Sequence, residues 1–168
     1  MTLGMYSASV PVFVRNLQNL ADILAKGQSY AAENALNEEE LVQGRLIEDM
    51  FPLARQVQMA CDSAKFAAAR LAGVEAPKNE DTEASFDELQ ARIDSTLAFL
   101  KSVDGAKVDG SEDKAIAFSN KGGDYSFNGR DYLFQFAHPN FFFHVTTAYD
   151  ILRAKGVQVG KKDYLGAF

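Results

Sequence analysis

The chain holds only two histidines, and both fall in one stretch, His138-Pro139-Asn140-Phe141-Phe142-Phe143-His144. Imidazole is the side chain best suited to proton transfer near neutral pH and to binding transition metals. Phe141, His144, Val145, Ala148 and Leu152 share one stripe at helical spacing, so His144 takes a core-facing position. Asn140 stands four residues before it on the same face. His138 does not: six residues at ~100° each place it about 120° away around the axis. The two histidines therefore cannot chelate one ion from a straight helix. A second polar strip, Gln58, Asp62 and Lys65, runs at steps of four and three beside an apolar stripe. Together the strips would line a pocket in which Asp62 and Gln58 orient a ligand and His144 and Asn140 hydrogen-bond to it. The competing reading is structural: an Asp62–Lys65 ion pair and a hydrogen-bonded core histidine. The one cysteine, Cys61, sits on the apolar stripe between Val57 and Ala64 and reads as a small hydrophobe rather than a nucleophile.

These residues need helices to position them. Val10, Phe13, Val14, Leu17, Leu20, Ala21 and Leu24 predict a helix over 7–26, with Pro11 in its first turn and Gly27 as its stop. Asn37 followed by three glutamates predicts a short helix ending near Asp49, because Pro52 disfavours a helical Phe51. Leu53, Val57, Cys61, Ala64, Ala68 and Leu71 predict a second long helix over 52–71, whose alanines permit close approach of a neighbour. Ser85 and Glu88 form a capping box before Phe86, Leu89, Ile93, Leu97 and Leu100. Between 104 and 129 the helical period is lost. Phe118, Tyr125 and Phe127 lie near period two around Lys121-Gly122-Gly123, which predicts a β-hairpin insertion over about 114–128. The last helix is expected from Asp131 to Lys155, kinked or divided at Pro139 with His138 as N-cap of its second half.

Four amphipathic helices in 168 residues make an all-α domain spanning 1–168, an up-and-down four-helix bundle with a small hairpin before the last helix. A net charge of -6 without a basic cluster argues against nucleic acid and anionic membranes as partners. One cysteine, no leader-like N-terminus and no long apolar run place the expected locale in the cytoplasm.

Three segments carry a family resemblance: Met1 to Leu24, Asp49-Met50-Phe51-Pro52-Leu53, and His138 through Arg153. They resemble an uncharacterised bacterial family, domain of unknown function nineteen ninety-three, a branch of the DinB/YfiT superfamily. The resemblance implies four-helix bundles that are often dimeric, many with a three-histidine divalent metal site, some acting as thiol-dependent transferases or hydrolases. Anchored on Leu152-Arg153 and Gly156, that site would place its last-helix histidines on Asn140 and His144, and its remaining ligand on Gln56 or Gln58. One of three ligands is retained. Amide oxygens are weak ligands for zinc or nickel, so no metal and no other cofactor is expected. A mixed His144–Asp62 site is the weaker alternative. The expectation is a metal-free bundle, a homodimer, whose polar pocket (candidates His144, Asn140, Asp62, Gln58 and His138) takes a small molecule. Its rivals are a degenerate metal-dependent enzyme and a dimeric interaction protein.

Overall fold

Apolar residues at helical spacing build four long helices in the computed structural model, which describes residues 3–167. The domain read as 1–168 extends at both ends beyond these. The long helices are α1 (Val10–Glu33), α3 (Leu53–Ala72), α4 (Phe86–Ser102) and α7 (His138–Ala154). Short helices α2 (Glu38–Val42), α5 (Gly105–Val108), α6 (Gly129–Asp131) and α8 (Lys161–Leu165) join or flank them. An antiparallel hairpin, β1 (Ala115–Asn120) and β2 (Gly123–Asn128), precedes α6, with Asn120 paired to Gly123 across the expected turn. Asn120 Oδ1 accepts the Gly122 amide and fixes that turn. Among the described residues no helix is long and apolar enough to cross a membrane.

The core is one cluster drawn from all four long helices, with Phe13, Leu17, Leu53, Phe86, Ile93 and Phe141 fully buried. Its neighbours follow a ring: α3 packs on α7 and α4, and α1 packs on α4 and α7. Side-chain pairs give the directions. Gln28 meets Asp87 and Gln90 meets the Ala21 carbonyl, so α1 and α4 are antiparallel. His144 meets Gln56 and Tyr132 meets Arg70, so α3 and α7 are antiparallel. Asp62 meets Arg92 while Gln58 meets Glu83, which makes α3 and α4 parallel. The polar segment 74–84 achieves this by running back along α3 before α4 begins.

Three local expectations differ from what is observed. α1 passes through Gly27 and ends at Glu33. A Cβ there would come within 3.1 Å of both Leu152 and Phe86, so this glycine serves close helix packing rather than termination. The short helix stops at Val42, because the Gly44 carbonyl accepts the Leu53 amide and turns the chain into α3. Pro139 neither divides the last helix nor makes His138 an N-cap. Tyr132–Ala137 is π-helical and runs straight into α7, and His138 is itself helical, its amide bonding to the Leu133 carbonyl. The wider turn accommodates the proline without breaking the helix.

Candidate functional site

The polar strip of α3 is engaged by the returning segment. Arg92 of α4 is 3% exposed and donates to Asp62 at 2.9 Å, Asp81 at 3.0 Å and Glu83 at 2.8 Å. Each of these acids has a second partner. Lys65 reaches Asp62 at 2.8 Å, Arg55 reaches Asp81 at 2.6 Å, and the Gln58 amide donates to Glu83 at 2.9 Å. Lys65 also donates to Asn79 at 2.7 Å. Burial pushes the Asp81 carboxyl up, but hydrogen bonds from Arg55 and Arg92 outweigh it and hold it below the ordinary carboxylate range. Arg55, Lys65 and Arg92 carry three positive charges against three acids, so the network is balanced. Its evident work is to strap the segment that lets α3 and α4 run parallel.

His144 and Gln56 form a separate unit. The Gln56 amide nitrogen donates to the Phe51 carbonyl at 3.1 Å, which leaves its oxygen to accept from His144 Nδ1 at 2.7 Å. His144 is therefore the Nδ1–H tautomer. Burial first, then the nearby Arg55 charge, lowers its pKa to about 4, so it is neutral at physiological pH. His138 faces elsewhere. Its ring packs edge-on against Phe13, Phe134 and Phe142, and its Nε2 is buried without a hydrogen bond of good geometry. Burial lowers its pKa, and the Ala8 carbonyl opposes that in part. Cys61 is fully buried and its thiol is pushed up to about 12 by burial, which makes it inert as a nucleophile.

A cleft of about 310 Å³ opens between α3, the hairpin and the π-helical start of the last helix. It brings together Asp62 and Asn140 from the sequence-derived set, but not Gln58, His144 or His138. Its walls add Met59, Ser63, Phe66, Arg70, Phe118, Tyr132 and Phe136. Phe118 packs edge-on against Tyr132 at 5.8 Å and Phe136 at 5.2 Å. The Arg70 guanidinium lies 3.8 Å from the centre of the Phe118 ring and donates to the Tyr132 hydroxyl at 2.9 Å. Sequence reasoning missed Arg70. The available signal was Phe66 and Arg70 four apart on the edge of the α3 stripe, facing a hairpin whose aromatic residues all fall on one side.

The match to known proteins bears on this geometry. The family model described as "Domain of unknown function (DUF1993)" matches residues 5–165. The chain belongs to this family. A solved structure described as a DinB family member protein from Shewanella denitrificans is similar to this DUF1993 member over 97% of this chain and 92% of that one, with 40% identity and a TM-score of 0.89. Among curated proteins nothing matches. The DinB-like fold raises the question of the three-histidine metal site, and the residues present do not fit it. Gln56, not Gln58, faces His144, and its amide is committed at both ends, its nitrogen to the Phe51 carbonyl and its oxygen to His144 Nδ1. Arg55 adds a positive charge that disfavours a cation nearby. Among the described residues no group of three His, Cys, Asp or Glu is placed to hold a metal ion.

Proposed function

We propose that this DUF1993 member is a small-molecule-binding bundle whose site is the cleft between α3, the hairpin and the start of α7, and that binding there needs no metal. One observation carries this reading. Asn140 and Ser63 line an aromatic-walled cleft, and neither side chain hydrogen-bonds to any protein group among the described residues. Elsewhere in the same bundle the polar strips are closely paired, so unspent polar groups beside Phe66 and Phe136 are what a ligand pocket requires. His144 then acts as a core histidine that orients Gln56. The test is a fragment screen by amide NMR on wild type and a cleft-filling Ser63→Phe variant. Fragments that shift the amides of Phe118 and Asn140 in wild type, and fail to in the variant, support the site. Absence of any such fragment at millimolar concentration overturns it.

A second reading, self-association, is favoured by a different surface. Leu46, Ile47, Phe51 and Phe143 are 45%, 61%, 50% and 54% exposed, and a shallow depression beside them is lined by Met50, Pro139 and Phe142. A homodimer through this face predicts the mass of a dimer at micromolar concentration by light scattering, reduced to a monomer in Phe143→Glu. A monomeric wild type discards it.

A further inference from the structure

The cleft is not electrically neutral in its chemistry, although the protein as a whole is acidic. Three charged residues line it: Arg55, Asp62 and Arg70. Asp62 is held by Lys65 and Arg92, and Arg55 by Asp81. Arg70 has no carboxylate partner among the described residues. Among the described residues its hydrogen-bond partner is the Tyr132 hydroxyl, and its guanidinium lies over the rings of Phe66, Phe118 and Tyr132. A guanidinium has five N–H donors in a rigid plane, so most of its hydrogen-bonding capacity is unspent. Its place over the Phe118 ring and its hydrogen bond to Tyr132 restrict the guanidinium before anything binds, which lowers the ordering entropy of binding.

We infer that the cleft is a site for a small organic carboxylate with a flat apolar body, and that Arg70 is its anchor. The inference rests on the small-molecule reading above and adds the ligand's chemistry. The carboxylate takes two parallel N–H donors from Arg70, a geometry that a planar acid matches and a point charge does not. The apolar body lies against Phe66 and Phe136, and Ser63 and Asn140 offer hydrogen bonds to a polar edge. At about 310 Å³ the cleft sits at the small end of ligand pockets, which suits one or two fused rings. The Tyr132 phenol oxygen already accepts from Arg70, which leaves its O–H free to donate. Burial, opposed by Arg70, raises its pKa, so it remains a neutral partner.

The probes are 2-naphthoate and its neutral carboxamide, titrated against the full chain by amide NMR. The acid is expected to bind at least about tenfold more tightly than the amide, as one charge-assisted contact requires. Arg70→Gln is expected to remove that preference while leaving the weaker, apolar binding of both. Because Arg70 also packs on the hairpin, the acid–amide contrast on wild type decides the matter even if the variant is loosened. Equal binding of both probes in the cleft overturns the carboxylate inference and leaves the small-molecule reading standing. No perturbation of the cleft by either probe overturns both. An undiminished acid preference in Arg70→Gln overturns Arg70 as the anchor.

Discussion

Arg92→Met removes the centre of the strap that binds segment 79–83 to α3 and α4, and its cost follows from the geometry. The side chain is almost completely buried and satisfies three carboxylates at 2.8–3.0 Å. Removing one partner of a buried ion pair costs about 3–5 kcal/mol, because the remaining charge is left without compensation. Here the acids are not abandoned. Asp62 keeps Lys65, Asp81 keeps Arg55 and Glu83 keeps Gln58, and the Asp81 side chain is 30% exposed and can rehydrate. The expected loss therefore lies at the lower end, about 3 kcal/mol, and part of it returns when Asp81→Asn removes the surplus negative charge. Urea unfolding with an unchanged slope reads the loss. Hydrogen exchange locates it: amides of 79–84 should lose protection before those of the α1 core. A variant within about 0.5 kcal/mol of wild type, with this segment still protected, refutes the strap.

Three further outcomes follow from single groups. His144 titrates near 6.5 when unfolded and at about 4 when folded, so the unfolded chain binds more protons between these values. Stability is then full above pH 6.5 and falls by up to about 3 kcal/mol as pH drops to 4; a His144→Gln variant should lack that part of the slope, and parallel pH profiles would count against it. Gly129→Ala places a Cβ 1.9 Å from the Ser111 carbonyl oxygen, so the turn between the hairpin and α6 must shift and stability should fall by more than about 2 kcal/mol in thermal unfolding. Cys61 should stay unreactive toward a disulfide probe in the native protein and react fully in urea, and rapid native labelling would contradict its burial.

The bundle was legible because its information is local. The stripes of α3 and α4, the Ser85–Glu88 cap and the hairpin turn each depend on residues a few positions apart. Gly27 misled because a glycine that ends a helix and one that admits Phe86 and Leu152 look the same in one dimension. The polar strip was seen, but its role was not. Gln58, Asp62 and Lys65 acquire meaning only from Arg92, Asp81 and Glu83, which the parallel path of α4 brings to them. Arg70 gave only a weak local signal, its spacing from Phe66, for the same reason: its partners Phe118 and Tyr132 lie about fifty to sixty residues away on the hairpin and the π-helical turn.

The His144–Gln56 contact turns the failed metal fit into a constructive test. The resemblance to metal-binding relatives left two glutamines as candidates for the α3 ligand, and the structure separates them: Gln56 meets His144, whereas Gln58 meets Glu83. If the bundle retains the spatial relation of a three-histidine site, then Gln56→His with Asn140→His should supply the missing imidazoles around His144. Neutral imidazoles are the preferred nitrogen ligands for zinc, and three of them leave a position for water. His144, depressed to about 4, is already in the neutral form that ligation needs. Arg55 works against the ion, so Arg55→Gln should strengthen binding in the double variant. Elemental analysis should find about one zinc per chain in the double variant and a rise in thermal stability on adding the ion. A Gln58→His with Asn140→His control should bind none. Zinc uptake by the control, or none by the double variant, would mean that the backbone positions of this member have moved apart from a metal-binding geometry, and that more than side-chain identity separates it from such a site.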